Sequence, residues 1–444
     1  KDPRAGIRRS IWGYWLHMYD TFLADPKHYR PLSSGADWVL THYQTLAELH
    51  VPPRFRRGKQ WSVDVIAYAY ETYKRKCWLN GHTCNKAHNC CRELVSWVHW
   101  PYASVLRKVG RAWQVVLETL NEPHFELWNM AKVVSVVDSK VEHCVALPEH
   151  VCSCLRCNKT KEPIEFLVGD ATRLYTEIDT TLVLAAARRY LDMFERRTGK
   201  SFVTVFSSQR VTGFAGGGRF TFGRQCSFTT QELFSLLTFG ALCRIFRVGD
   251  VFVEQILGIP MGGHLSKIMI SILLTSMETD MFYDTEWLVA NRFYFPAFKK
   301  VGIPMSSLVN GVRHVDDALI FSRVFCLDCL TLLMNHMYKA PLAFSIESIP
   351  PAVEFLDTIV TRDGNSLRLT LCQKNEAWAL GQTDIIAKNA APPVLGLPVI
   401  SRRRTTAYIS VKLHRLNQLL SLIHISEPTR PERIADGGFC VKKK

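Results

Sequence analysis

Apolar residues recur three and four positions apart through much of residues 11–130. Val63, Ile66, Tyr70 and Tyr73 form one such run, and Trp113, Val116, Leu117 and Leu120 another, with Pro and Gly breaks between. This spacing predicts a mostly helical first region. From Glu165 the pattern changes: Phe166, Leu167 and Val168 make a short apolar strand, and Asp179 to Glu195 reads as a helix with a basic face. Phe202 to Phe206 alternates as a strand does. Residues 213–223 are glycine-rich, with Arg210, Arg219 and Arg224 around them, and predict a basic hairpin or solvated surface loop. Thr229 to Phe246 and Leu265 to Phe282 carry helical patterns, broken between them by Gly258, Pro260, Gly262 and Gly263. Val312 to Phe321 reads as a strand pair folded about two aspartates. Val353 to Val360 with Leu367 to Leu371 predicts a hairpin around Arg362, Asp363, Gly364 and Asn365. No internal repeat is present.

At 444 residues the chain is long enough for two or three packed units. Its 47% hydrophobic and 21% charged residues are those of a folded globular protein rather than of a disordered chain or coiled coil. No apolar run reaches membrane-spanning length: Ile268 to Met277 is broken by Ser271 and Thr275 and flanked by Lys267 and Glu278. Charge adds more. The 55 Lys and Arg outnumber the 40 Asp and Glu to leave +15, an excess that an enzyme of small metabolites does not need and that suits a polyanionic partner. Residues 1–161 hold 23 basic and 14 acidic side chains and nine of the 11 tryptophans. Basic charge interleaved with flat rings suits nucleic acid, although a basic surface over a Trp-rich core has the same composition.

The opening at Lys1 reads as the start of a fragment. Residues 422–444 have neither helical nor strand period and resemble the translation of a sequencing adapter joined to a poly(A) run. Setting them aside leaves a charge of +13 and 13 thiols. An odd thiol number without a secretory leader predicts a reducing compartment, nuclear or cytoplasmic.

Adjacent Asp316 and Asp317 lie inside VRHVDDALIFS, where Val312, Val315, Ala318, Leu319, Ile320 and Phe321 are apolar. Two carboxylates against such a core need cations. Magnesium, with its preference for hard oxygen and its open positions for phosphate oxygens, would satisfy both charges; a polar turn between strands is the plainer alternative. Asp170 ends the apolar strand of FLVGDATRLYTEID, and Tyr175 follows five residues later. Taken singly, Asp170 could be a helix cap. DVFVEQILGIPMGGHLSKIMI is a Gly and Pro loop feeding an apolar helix, backbone that lets another group approach closely.

In this order, strand Asp, glycine loop with helix, Asp-Asp hairpin and VEFLDTIV hairpin, the chain resembles the palm of reverse transcriptases. It is most similar to those of Penelope-like retroelements. The resemblance rests on Asp170 with Tyr175, Gln255 to Gly262 with Met261, Arg313 to Asp317, and Phe355, Leu356 and Asp357, and it covers about 165–416. His314 departs from the Tyr or Phe usual in the family, and Gly263, His264 and Leu265 replace a Ser-Pro stretch before Ser266.

The resemblance implies an α+β right-hand polymerase. A mostly helical N-terminal and fingers region would span 1–164, the palm 165–372 and the start of a thumb 373–421, where RRRTTAYISVKLHRL resembles a basic thumb segment. It implies RNA-directed DNA synthesis on an RNA template with a DNA primer. Asp170, Asp316 and Asp317 would hold two magnesium ions; Ala171, Tyr175, Gly258, Pro260, Met261, Gly262 and Ser266 would meet the deoxynucleoside triphosphate and the templating pair. Tyr175 would exclude a 2′ hydroxyl, and Phe355, Leu356 and Asp357 would grip the primer. A degenerate binder without catalysis stays open, as does a telomerase or an RNA-dependent RNA polymerase. Arg54, Arg56, Arg57 and Lys59 form a basic run that reads as solvated charge. Two Cys and His groups, Cys77, His82, Cys84, His88, Cys90 and Cys91, then Cys144, Cys152, Cys154 and Cys157, have spacings that fit no standard zinc module and read as reduced thiols, with a structural zinc site the less favoured alternative.

Overall fold

The computed structural model describes residues 22–371 apart from 57, 74–90, 148–149, 155, 173, 207–212, 217–224, 294–302, 341 and 357. The chain divides into two compact units, Lys1–Cys372 and Gln373–Lys444; every described residue belongs to the first. The thumb segment, the C-terminal tail, Asp357 and most of the first Cys and His group therefore lie outside the described residues.

The order opens with β1 (Tyr29–Leu32), α1 (Ala36–His50), β2 (Tyr68–Tyr73), β3 (Cys91–Ser96), α2 (Ala103–Leu120) and α3 (Val133–Glu142). It continues through β4 (Glu165–Thr172), α4 (Thr180–Thr198), β5 (Phe202–Phe206), β6 (Gly213–Ala215), β7 (Gln225–Thr229) and α5 (Thr230–Leu242). Then come β8 (Ile245–Val248), β9 (Val251–Gln255), α6 (Ser266–Tyr283), β10 (Asn310–His314), β11 (Asp317–Ser322) and α7 (Leu327–Met337). The last strands are β12 (Ala343–Ser348), β13 (Ala352–Phe355), β14 (Thr358–Asp363) and β15 (Ser366–Leu371). Helix and sheet are mixed, as the sequence predicts.

Local chemistry explains several boundaries. The Asp179 carboxylate accepts from the Thr181 N–H to open α4, and Gly199, left-handed at φ 65°, closes it. Thr229 and Glu232 form a reciprocal capping box at the start of α5. Buried on nearly every side, α6 is a central helix.

Two expectations need correction and a third is incomplete. The described part of the first region holds more helix than strand, but β1, β2 and β3 join β8 and β9 in a five-stranded sheet of order β1-β9-β8-β2-β3. The apolar spacing at Ile66, Tyr70 and Tyr73 belongs to a strand entry, because cross-chain pairing overrides local helical spacing. The helix predicted to reach Phe246 ends at Leu242, and a hairpin turning at Gly249, φ 59°, follows it. Val353 to Val360 is two strands rather than one, with the left-handed Leu356 following the first.

The sheet that carries the acidic motif has the order β10-β11-β4-β12. Its central strand is covered on both faces, which explains its continuous apolar run. Phe166, Val168, Leu319 and Phe321 pack with Val133, Val137 and Val141 of α3 and with Val353, Phe355 and Val360. Leu167, Ala318 and Ile320 point to the larger core that holds α6 and α7. No described helix is long and apolar enough to cross a membrane.

Candidate active site

The register of β11 against β4 places Phe321 opposite Phe166, Leu319 opposite Val168 and Asp317 opposite Asp170. On one face of the sheet, two rows of apolar pairs thus end in an acidic pair. Side chains directly opposite on antiparallel strands have Cβ atoms about 5 Å apart, where like charges repel. Asp316 joins them from the turn between β10 and β11, and its carbonyl accepts from the Ala171 N–H at 3.1 Å. One carboxylate oxygen from each of Asp170, Asp316 and Asp317 lies within 4.8 Å of the others, and all three residues are half-buried.

The turn that delivers Asp316 is strained. Val315 has φ 64°, a left-handed conformation that a β-branched residue rarely adopts. Its carbonyl accepts from Arg313 Nη1 at 3.2 Å. The guanidinium is wholly buried, ion-paired with Glu126 at 2.7 Å and with Glu278 through a short contact to Nε. The Phe125 N–H and the Tyr338 hydroxyl donate to Glu278 at 2.8 and 2.7 Å. Backbone bonds between Arg313 and both Phe125 and Leu127 lace the same segment to β10.

Burial raises Glu126, and the Arg313 charge offsets only part of that rise. In Glu278 burial also pulls upward, but Arg313 and the Phe125 N–H outweigh it and hold the carboxyl below its ordinary range. Beside them, burial and the Lys140 ammonium push His124 down to about 4, and its Nδ1 accepts from the Glu126 N–H at 3.0 Å. His314, the departure from the family pattern, is lowered by burial and by Lys267, and its Nδ1 lies 3.1 Å from the Leu127 carbonyl. The ring is thus occupied with the backbone behind the hairpin.

The glycine loop is built by close backbone approach. Gly258 has φ 86°, its N–H donates to the Ile178 carbonyl at 3.1 Å, and a Cβ there would collide with the Tyr175 carbonyl and lie 2.7 Å from Thr176 Cα. The Ile259 N–H donates to that same Tyr175 carbonyl at 2.7 Å. The loop is therefore seated on the chain that follows Asp170, as spacing alone could not show. Ser266 is buried and its hydroxyl donates to the Pro260 carbonyl at 2.7 Å, closing the loop from within. Met261 is half-buried and Gly262 exposed; the Met261 carbonyl accepts from the Val95 N–H at 2.7 Å. Tyr175 is half-buried against the core. Phe355 is buried under the acidic sheet, and Leu356 sits left-handed at φ 55° in the turn after it.

Arg54 of the basic run is committed to the fold: it donates to the Ser227 carbonyl and Glu232 and lies over the Phe55 ring. Sequence reasoning missed Glu126 and Glu278 as partners of Arg313. The only local signal was an acidic residue inside an apolar helix, Glu278 in SMETDMF.

No family model matches the chain, and no curated protein matches it. Among solved structures it is similar to telomerase from Candida albicans in complex with a TWJ fragment of telomeric RNA, with 12% identity, 77% of this chain and 54% of that one covered, and a TM-score of 0.44. It is also similar to apo telomerase from Candida tropicalis, at 10% identity, 82% and 53% coverage and a TM-score of 0.46. For Candida tropicalis telomerase with the TWJ fragment the values are 10%, 82%, 48% and 0.44. The chain spans about half the length of these structures.

Proposed function

We propose that the protein is an RNA-directed DNA polymerase of a retroelement, extending a DNA primer on an RNA template with deoxynucleoside triphosphates. The observation that carries this reading is the convergence, within 4.8 Å, of one strand-end aspartate and two hairpin aspartates. Three half-exposed hard-oxygen donors fit magnesium, which is held through a few carboxylates and completes its shell with water and phosphate oxygens. Asp170 and Asp316 would hold the ions, and Asp317 would support the pair. When bound, two such ions acidify the primer 3′ hydroxyl and neutralise the triphosphate and leaving pyrophosphate.

The chain itself supplies position. Arg313 holds the Val315 turn and with it the placement of Asp316. Ala171, through its N–H on the Asp316 carbonyl, ties strand to turn. Gly258, Pro260 and Ser266 shape the loop whose outward residues, Met261 and Gly262, would meet the templating pair. Tyr175, under that loop, would occupy the space of a 2′ hydroxyl. Phe355 and Leu356, together with Asp357, would steady the primer end.

Primer extension on an RNA template tests the reading. Asp316→Asn and Asp170→Asn should each slow extension roughly a thousandfold, about 4 kcal/mol of transition-state stabilisation. A rate unchanged in either variant refutes the assignment, and absence of magnesium-dependent extension by the unsubstituted protein favours a binder without catalysis.

A further inference from the structure

The thiols that the sequence leaves scattered come together in space. Residues 150–161 fold back on themselves: the Cys152 N–H donates to the Lys159 carbonyl at 2.7 Å, the Lys161 N–H to the His150 carbonyl at 2.8 Å, and Val151 bridges Thr160. The Ser153 N–H donates to the Val324 carbonyl at 2.9 Å, which docks this loop on the segment leaving β11. There Cys326 and Cys329 stand at the N-cap and first turn of α7. The Cys326 N–H points to Cys152 Sγ at 3.3 Å.

Between the two segments lie five sulfurs. Cys152 is 3.7 Å from Cys329, Cys157 is 3.6 Å from Cys326 and 3.5 Å from Cys329, and all four of these sulfurs lie within 4.8 Å of one another. Cys154 is 3.0 Å from both Cys157 and Cys329. These spacings are too long for a disulfide, whose sulfurs stand about 2.05 Å apart. A zinc–sulfur bond of about 2.3 Å in a tetrahedron sets an edge of about 3.8 Å between sulfurs. The three distances among Cys152, Cys157, Cys326 and Cys329 fall close to that edge, whereas both Cys154 contacts are well under it. Cys144 is no part of the group; it packs with α3 and the acidic sheet's apolar face.

We propose that Cys152, Cys157, Cys326 and Cys329 form a structural tetrathiolate zinc site, with Cys154 a fifth, non-ligating thiol beside it. Four soft thiolates with no open position suit zinc or iron rather than magnesium, and closure of the set suits a structural ion. The ion clasps the loop 150–161 to the start of α7, two segments about 170 residues apart, at the end of β11 remote from the aspartates. It takes no part in nucleotidyl transfer.

The test is the metal content of the untagged full chain, purified reduced and without chelator. Elemental analysis should give one zinc per chain, lost in Cys157→Ser, Cys326→Ser and Cys329→Ser and kept in Cys144→Ser and Cys154→Ser. Because a ligand variant can misfold, the metal-free unsubstituted protein is also titrated with cobalt(II), which should show the ligand-field and sulfur-to-metal charge-transfer bands of tetrahedral thiolate coordination. Absence of both zinc and those bands, iron in place of zinc, or disulfides formed among reduced-purified thiols overturns the site. Loss of zinc in Cys154→Ser with retention in Cys152→Ser overturns the ligand set.

Discussion

Two groups of carboxylates sit back to back around one hairpin, and they are built oppositely. Behind β10, Glu126 and Glu278 are fully buried with the Arg313 guanidinium between them. In front, Asp170, Asp316 and Asp317 are half-exposed and converge on one another. Burying an acid is tolerable when a cation of the same chain lies within hydrogen-bonding distance, so the inner group is a strut. Three half-exposed acids converging at the end of a sheet are instead the arrangement to which the proposed function assigns an external cation. The environment of each carboxylate, more than its identity, separates the strut from the group to which the proposed function gives chemistry.

The widest way to break this contrast is to exchange the consequences. Arg313→Met leaves two buried acids without a counterion and should cost about 3–5 kcal/mol of stability in denaturant unfolding. Asp316→Asn, by contrast, changes a half-exposed side chain and should leave the unfolding free energy within about 0.5 kcal/mol of the parent, while extension collapses. Equal destabilisation by both substitutions would erase the distinction.

A pH series sharpens it. His124 has a folded pKa of about 4, below the ordinary value of 6.5. Between those values the unfolded chain binds a proton that the folded one does not, so stability is unaffected above pH 6.5 and falls as pH drops from 6.5 towards 4. The fall amounts to at most about 3 kcal/mol. His124→Asn should flatten unfolding free energy across this window; an unchanged slope would mean that the inner group is indifferent to its histidine. Glu278, whose folded pKa is depressed, adds a loss that starts as pH falls through the ordinary carboxylate value, where the unfolded chain takes up a proton, and is complete below its folded value.

The smallest effect concerns the loop beside the acids. Gly258→Ala forces a side chain into a left-handed conformation and against the Tyr175 carbonyl, and should cost about 1–3 kcal/mol. Gly364→Ala, also left-handed but with open space around it, should cost less. A reversed order, read from melting curves, would remove the loop's close seating from the account.

What was legible in the sequence was whatever declares itself locally. The helical spacing from Asp179 marked α4, the apolar run marked α6, and apolar residues on both sides of Asp316 and Asp317 marked their hairpin; Asp170, which taken singly could be a helix cap, joined them only through the order of motifs along the chain. The five-stranded sheet was not legible, because β1, β2 and β3 find β8 and β9 more than 140 residues later and Tyr68–Tyr73 also satisfies helical spacing. The Gly249–Asp250 pair between two apolar runs was a hairpin signal that the longer helical pattern masked. The thiol group hid for the same reason of distance: Cys326 and Cys329 show a C-x-x-C spacing, but its complement is about 170 residues away.

The central place of β4 also sets a timetable. Its partners β11 and β12 follow it by roughly 140 residues or more. At about 5–20 residues per second of synthesis, Phe166, Leu167 and Val168 wait some 7–30 s outside the ribosome before the strands that flank them exist. During that interval an apolar inner strand of the sheet is an unpaired edge, the part of a nascent chain that chaperones bind and that aggregates in their absence. Heterologous yield should therefore respond to slower translation and holdase supply more than to any single surface substitution.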